Sequence, residues 1–188
     1  MTGPADGDAP SPPPREDLRG TLVQLRTRVD AHFDAAVDRS PTAFTCAEGC
    51  SACCHARFSV FEIEAVPLRE ALATMAAEDP ERRERIRRAV DDPAAAAHCP
   101  FLLDDRCAVY EARPIICRSH GLPVIAADEN GAEVSHCALN FRSEAPPAPS
   151  VLSLERVNAP LSVLARLWDG RGQRVALTAL ARGDELGA

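Results

Sequence analysis

The chain has 188 residues, a formal net charge of −7, and a hydrophobic fraction of 46%, to which aromatic residues contribute only 4%. This length suits a single domain with flexible ends. The acidic balance argues against a nucleic-acid partner, which requires a basic face. No stretch approaches the roughly 18 to 20 consecutive apolar residues that a membrane span needs, so we expect no membrane partner either.

The cellular compartment bears on how the eight cysteines of the chain are used. The first ten residues contain neither the basic segment nor the apolar segment of a secretory signal peptide, which predicts a cytoplasmic protein. Thiols stay reduced in the cytosol, and structural disulfides are rare there. The cysteines therefore point to metal binding, and a disulfide-stapled secreted domain is the alternative if a cleaved leader is missing.

The pattern along the chain predicts a mainly α protein with one or two short β-hairpins. Residues 1–15 have the Pro-rich composition of a disordered tail. Apolar residues at helical spacing then predict a helix from about Asp17 to Asp38. Ser59-Val-Phe-Glu62 has the form of a capping box, and it predicts a second helix that continues to about Met75.

The middle of the chain predicts two further helices and two hairpins. Asp79-Pro80 supplies an N-cap and a first-turn proline for a charged helix that ends near Val90. A first hairpin is expected around Asp104-Asp105, followed by a short helix that carries Cys117. The segment Glu129-Asn130-Gly131 has the composition of a tight turn and predicts the second hairpin.

These elements indicate one principal unit, a small cysteine-cluster metal-binding domain over residues 16–142. A linker rich in Pro and Ser over 143–150 leads to a C-terminal helical segment over 151–182, and residues 183–188 are expected to fray. The helical segment carries an apolar stripe, which is more often core packing than a cofactor site. We therefore expect this segment to pack on the domain.

Four cysteines lie within nine residues, at Cys46, Cys50, Cys53 and Cys54. Thiolates gathered in this way bind zinc, copper(I) or iron–sulfur clusters, or they oxidise to disulfides. On a regular helix the first and last would lie about 12 Å apart along the axis, whereas the ligands of one zinc ion lie roughly 4 Å apart. The segment must therefore bend at Gly49 or share its thiols with later cysteines. Those later cysteines are Cys99, Cys107 and Cys117.

Sharing the thiols leaves several kinds of site open. Two tetrahedral zinc sites, one binuclear site and an iron–sulfur cluster are all compatible with this number of cysteines. One or two cysteines can instead act as small buried hydrophobic residues. Cys137, which stands alone in the sequence, is the foremost candidate for that role.

The cysteine pattern as a whole resembles that of the bacterial YkgJ-type, or CxxCxxCC-type, cysteine-cluster proteins over roughly residues 44–122. The matching pieces are Cys46-x3-Cys50-x2-Cys53-Cys54, Cys99-Pro-Phe-Leu, Cys107-Ala-Val-Tyr110 and Arg113-Pro-Ile-Ile-Cys117-Arg118. The resemblance implies a zinc- or iron-chelating domain without a settled reaction. The chain departs from the signature because three residues, rather than two, separate Cys46 from Cys50. Flagellin lysine N-methylases have a similar signature, so a methyltransferase relative is a further alternative, although the chain has no glycine-rich nucleotide loop.

Charged residues beside the cysteines are candidates for a supporting role. Arg113 and Arg118 flank Cys117, where a guanidinium would offset the negative charge of thiolates. The alternative is that Arg113 pairs with an acidic neighbour in the hairpin region, namely Glu111, Asp104 or Asp105. A histidine can also replace a thiolate as a ligand. The candidates are His55, His98, His120 and His136, with His120 favoured because Gly121 lets the chain turn back.

The sequence therefore predicts a metal-binding protein that chelates zinc or iron through clustered thiolates. The predicted ligands are Cys46, Cys50, Cys53, Cys54, Cys99, Cys107 and Cys117, with zinc slightly favoured. The main alternative is an iron–sulfur oxidoreductase or electron carrier, and a third is a metal-loaded interaction module without catalysis. The sequence leaves enzymatic activity and protein partners open.

Overall fold

The computed structural model describes residues 12–47, 49–128 and 131–183. The helices are α1 (Arg15–Arg39), α2 (Glu62–Glu78), α3 (Pro80–Asp91), α4 (Ile115–Ser119), α5 (Leu154–Asp169) and α6 (Leu177–Arg182). The strands are β1 (Ser59–Phe61), β2 (Leu102–Leu103), β3 (Arg106–Cys107), β4 (Val124–Asp128), β5 (Gly131–Ser135), β6 (Leu152–Ser153) and β7 (Arg174–Ala176). The predicted fold class, mainly α with short hairpins, is confirmed. Most of the predicted N-terminal tail and of the predicted frayed end lie outside the described residues.

The first helix forms where its apolar stripe predicts it. Leu18, Leu22, Leu25 and Val29 are each at most 5% exposed, and they pack with residues of α4 and α5 into what we call the α1 core. Burying each of these side chains stabilises the fold by roughly 1.5–3 kcal/mol. None of the helices in the described ranges is long and apolar enough to cross a bilayer.

A second cluster, the α2 core, lies between α2, α3 and α6. Its centre is formed by Leu68 and Ile86, both 0% exposed. A two-stranded antiparallel ribbon of β1 and β7 lies beside it, with Val60 opposite Val175. The sequence did not predict this ribbon, because three-residue strands are too short to show an alternating pattern.

The starts of α2 and α3 test the two capping predictions. Asp79 caps α3 as predicted, since its carboxylate accepts the backbone N–H of Arg82 at 3.0 Å. The capping box predicted at Ser59 and Glu62 is wrong, because Ser59 lies in β1 and α2 begins only at Glu62. The carboxylate that reaches back is that of Glu64, which accepts the backbone N–H of Phe61 at 3.4 Å.

Both predicted hairpins are present. In the first, β2 pairs with β3, so that Leu102 lies opposite Cys107. Asp104 and Asp105 form its turn with φ of 51° and 57°, a left-handed conformation that aspartate tolerates better than most residues. In the second, β4 pairs antiparallel with β5 and also parallel with β6. The predicted turn residues Glu129 and Asn130 lie outside the described part of the chain.

Candidate metal centre

The segment Cys46–Cys54, which we call the knuckle, is bent rather than helical. Gly49 adopts φ of +89°, a conformation that glycine takes without steric cost. The N–H of Cys50 donates to the carbonyl of Ala47 at 3.0 Å, and a short 3₁₀ turn follows at Ala52–Cys54. A bend at Gly49 is one of the two solutions that the spacing argument allowed.

The later cysteines also approach the knuckle. The backbone N–H of Cys99 donates to the carbonyl of Cys54 at 2.7 Å, which joins the knuckle to the chain entering the first hairpin. Cys107 lies on strand β3 of that hairpin, and Cys117 lies on α4. The structure therefore combines a bend in the knuckle with the approach of later cysteines, and the sharing of their thiols in one site stays a prediction.

Two adjoining cavities separate these segments, with volumes of about 390 Å³ and 580 Å³. We call them the small and the large cavity. Cys50, Cys53 and Cys117 line both, and they form a shared wall together with Tyr110 and Arg113. The small cavity is also lined by Cys46, Asp30, Arg118 and His120, and the large cavity by Cys107, Arg82 and Asp105. Five of the seven predicted ligands thus face these cavities.

The remaining cysteines lie differently. Cys99 is 9% exposed and belongs to the α2 core, against which Cys54 also packs. Cys137 lines neither cavity. It lies close enough to Cys46 to raise the pKa of the Cys46 thiol, although the burial of Cys46 has the larger effect. Among the described residues, the thiols therefore divide into five at the cavities, two toward the core, and one beside the small cavity.

The described side chains around the two cavities do not form a metal coordination shell in their present rotamers. Among the described residues, no three His, Cys, Asp or Glu side chains lie close enough together to hold a metal ion in their present rotamers. The donor chemistry fits zinc or iron, since five thiols face the two cavities and thiolate is a preferred ligand of both. Forming a coordination shell would therefore require thiol rotation about χ1.

The adjacent thiols of Cys53 and Cys54 have opposite acidities. The pKa of Cys53 is lowered to about 6, chiefly because the Cys54 thiol donates a hydrogen bond to its sulfur. Burial opposes this shift, whereas the positive charges of His120 and Arg113 support it. The same hydrogen bond raises the pKa of Cys54. At neutral pH this pair therefore holds one thiolate, located at the wall that both cavities share.

Four further thiols, those of Cys46, Cys99, Cys107 and Cys117, are less acidic than a free cysteine. Burial raises the pKa of Cys99 to about 11 and that of Cys117 to about 12. Burial likewise raises the pKa of Cys46 and of Cys107. Because metals bind thiolates, occupation of this site must release protons from these cysteines.

Arg113 is an arginine that lines both cavities beside the thiols. Its guanidinium lies 3.4 Å from the centroid of the Tyr110 ring, and its Nε donates to the Tyr110 carbonyl at 2.9 Å. Among the described residues, Arg113 forms no ion pair with the three acidic neighbours considered from sequence, Glu111, Asp104 and Asp105. Asp104 instead accepts from Arg85 at 2.8 Å, and Asp105 accepts from Ser51 at 2.9 Å. The positive charge of Arg113 therefore remains directed at the cavities.

Arg118 has a different function in the fold. Its guanidinium forms an ion pair with Asp30 of α1 at 2.5 Å, and its Nε donates to the carbonyl of Arg113 at 2.8 Å. With a side chain only 9% exposed, it links α4 to α1 and to the chain before α4. Arg118 therefore fixes the position of Arg113 and of the helix that carries Cys117.

The histidines occupy three different positions. His120 lines the small cavity, as its selection from sequence anticipated. His55 and His98 stack on each other with ring centroids 4.4 Å apart, and neither histidine lines either cavity. His136 contacts the carbonyl of Cys137 at 3.0 Å. The sequence reasoning missed Asn140, which is fully buried beside Cys46; its only signal was a lone amide between Leu139 and Phe141 near a cysteine.

Comparison with known proteins bears directly on this region. The model of the CxxCxxCC family, described as a putative zinc- or iron-chelating domain, matches residues 45–138, half of the chain. No curated protein and no solved structure matches the chain. The matched range begins just before the knuckle and ends just after Cys137, so it contains all eight cysteines and both hairpins.

Proposed function

Because the chain belongs to the CxxCxxCC family of zinc- or iron-chelating domains, we propose that it binds one of these metals through thiolates of the knuckle, the first hairpin and α4. The observation that carries the proposal is the wall shared by the two cavities. Three thiols from two separate segments, Cys50, Cys53 and Cys117, face the same space there. Thiols brought together from distant parts of a chain are the usual form of a structural metal site.

The thiols that line the large cavity are sufficient for one tetrahedral zinc ion. Cys50, Cys53, Cys107 and Cys117 all line this cavity, and four thiolates satisfy tetrahedral zinc. Bound there, zinc would supply a cross-link without redox chemistry, and its binding free energy would stabilise the three segments. The other predicted ligands, Cys46, Cys54 and Cys99, then lie around this set and are available for a larger centre.

The residues around the large cavity suit a site rich in thiolates. Four thiolates around a divalent zinc ion leave a formal charge of −2, which a nearby cation can offset. Arg113 supplies such a cation, and Tyr110 orients it through ring stacking and a backbone carbonyl. The Cys53 thiolate, with a pKa of about 6, is available as a ligand at neutral pH without further proton loss.

An iron–sulfur cluster that serves an electron carrier or oxidoreductase is the second candidate. The observation that favours it is the number of thiols, because Cys54 and Cys99 lie directly behind the shared wall and are joined by a backbone hydrogen bond. One mononuclear zinc site would leave these two thiols without a metal. A reducing cytoplasmic location, as the sequence predicts, would suit either candidate.

Metal content and colour of anaerobically purified protein distinguish the two candidates. We expect one or two equivalents of zinc per chain and no visible absorption. Iron with acid-labile sulfide and a brown colour would instead establish the second candidate. Protein that contains neither metal, and that takes up neither when reconstituted in the reduced state, would refute the proposed function.

Single serine variants test the ligand set. Cys53→Ser and Cys117→Ser should each reduce metal content, since both residues line the shared wall. Cys137→Ser is the matched control, because Cys137 lines neither cavity, and its metal content should equal that of the wild type. Loss of metal in the control, or retention in both wall variants, would contradict this assignment.

A further inference from the structure

Asn140 is a buried polar residue in contact with Cys46, whose side chain lines the small cavity. Asn140 is 0% exposed and lies just beyond residue 138, where the family match ends. Its side chain contacts two parts of the chain that are far apart in sequence, namely Thr45 with Cys46, and Gly121. Its backbone N–H donates to the carbonyl of Cys137 at 2.9 Å. A fully buried amide with this set of partners has a specific structural purpose.

The hydrogen bonds determine which end of the amide faces the cysteine. The Oδ1 atom of Asn140 accepts the backbone N–H of Thr45 at 2.9 Å and its hydroxyl at 3.0 Å. The Nδ2 atom donates to the backbone carbonyl of Gly121 at 2.8 Å. A backbone N–H can only donate and a backbone carbonyl can only accept, so the amide cannot be reversed. Its second N–H is therefore directed at the Cys46 sulfur, 3.3 Å away.

The Gly121 turn leaves space for this contact. Gly121 has φ of +101°, and a Cβ atom placed there would lie 2.7 Å from the Cys46 sulfur and 3.5 Å from Nδ2 of Asn140. The loop that carries Asn140 is itself held, because the N–H of Phe141 donates to the carbonyl of Ala43 at 2.9 Å. The Cys46 sulfur thus lies between the Gly121 turn and the Asn140 amide, although the residue itself is exposed.

Cys46 has particular need of such support. The family signature places two residues between its first two cysteines, whereas this chain has three between Cys46 and Cys50. The additional residue shifts Cys46 relative to the rest of the knuckle. An N–H directed at a sulfur stabilises the thiolate form, and outer contacts of this kind orient metal ligands.

We propose that Asn140 is a positioning residue, which holds the Cys46 thiolate on the small-cavity side of the shared wall, as a ligand of the metal centre in addition to those that line the large cavity. This inference rests on the metal binding proposed above. Asn140 does not touch the metal. It acts through the sulfur of Cys46, by one N–H donor whose direction is determined by Thr45 and Gly121.

A double-mutant cycle tests this role. Asn140→Asp keeps an acceptor for Thr45 but directs a carboxylate oxygen at the Gly121 carbonyl and the Cys46 sulfur. We expect zinc affinity, measured anaerobically by competition with a chromophoric chelator, to fall about 10- to 100-fold, the usual effect of losing an outer contact. In a Cys46→Ala background the same change should alter the affinity by less than about threefold. Cobalt substitution provides a second readout. The sulfur-to-cobalt charge-transfer band should weaken when Asn140→Asp is introduced into the wild-type background, and it should not weaken further when the same change is introduced into the Cys46→Ala background.

The controls separate failure of this inference from failure of the proposed function. Asn158→Asp makes the same chemical change at an exposed position of α5 and should leave affinity unchanged. Should Asn140→Asp fail to fold, Asn140→Ser removes the N–H donor without adding charge and is expected to behave alike. Equal losses in the wild-type and Cys46→Ala backgrounds, or no loss at all, would overturn the positioning role alone. Wild-type protein that binds no metal would overturn the proposed function as well, before any variant is compared.

Discussion

Gly121→Ala is the substitution whose effect the structure defines most closely. Alanine at φ of +101° is strained, which costs about 1–3 kcal/mol. Its Cβ would lie 2.7 Å from the Cys46 sulfur, a separation so short that one of the two groups must move. The Cys46 thiol is the group able to move, since it ends a short, exposed side chain. Its rotation breaks the hydrogen bond from Asn140, which contributes about 0.5–1.5 kcal/mol.

The two effects together should lower the free energy of unfolding by about 1.5–4.5 kcal/mol. Urea denaturation of the reduced, metal-free protein measures this loss. Zinc affinity should fall as well, because the displaced Cys46 thiol no longer faces the small cavity. The two readouts are separable, since strain in the backbone affects stability while the position of the sulfur affects the metal.

Gly170→Ala is the matched control for this experiment. Gly170 ends α5 with φ of +77°, and no atom lies within 4 Å of the position that its Cβ would take. Alanine there should cost about 1–2 kcal/mol of stability from the left-handed backbone alone, without any change in zinc affinity. If Gly121→Ala were no more destabilising than this control and bound zinc equally well, the close contact with Cys46 would not exist.

Three further expectations concern acidity and helix stability. Alkylation of Cys53 in the metal-free protein, followed by peptide mass spectrometry, should accelerate as pH rises through about 6 and then level off; a midpoint above 8 would refute the hydrogen bond from Cys54. Burial raises the pKa of Asp169, but backbone N–H donors from residues 171, 172 and 173 outweigh it and lower the pKa below 3.8. The stability from Asp169 is therefore present above that pH and lost as pH falls through the lowered pKa. Asp169→Asn should accordingly reduce Tm at pH 7, and the reduction should become smaller as the pH is lowered through that pKa. Gly20→Ala, in the exposed middle of α1 with no atom within 4 Å, should raise the free energy of unfolding by about 0.5–1 kcal/mol, and a decrease in a denaturant titration would contradict the packing of α1.

The features predicted correctly from sequence depend on residues close together in the chain. The stripe of α1 repeats at helical spacing, and Asp79-Pro80 caps α3 through a contact three residues away. The bend at Gly49 was one of two solutions left open by the distance limits on zinc ligands. In each case the physical cause lies within a few residues, so a sequence pattern can express it.

The features that were missed depend on contacts between distant residues. Strand β1 pairs with β7 across more than a hundred residues, with Ser59 opposite Ala176. Ser59 consequently lies in a strand rather than capping α2. Asn140 contacts Cys46 across a separation of 94 residues, and nothing beside it in the sequence identifies its partner. Conformations decided by tertiary packing override local preference at these positions.

The distribution of burial explains why a metal would matter to this fold. Both hydrophobic cores are closed by helices, and α2 contributes to each through Ile63 and Leu68. Between residues 41 and 59, by contrast, no described residue is buried. The knuckle therefore has no apolar core of its own and is held by hydrogen bonds from neighbouring segments, such as those of Cys99 and Asn140. Since local stability follows buried contacts, ligand binding there adds free energy at the part of the fold that has least of its own.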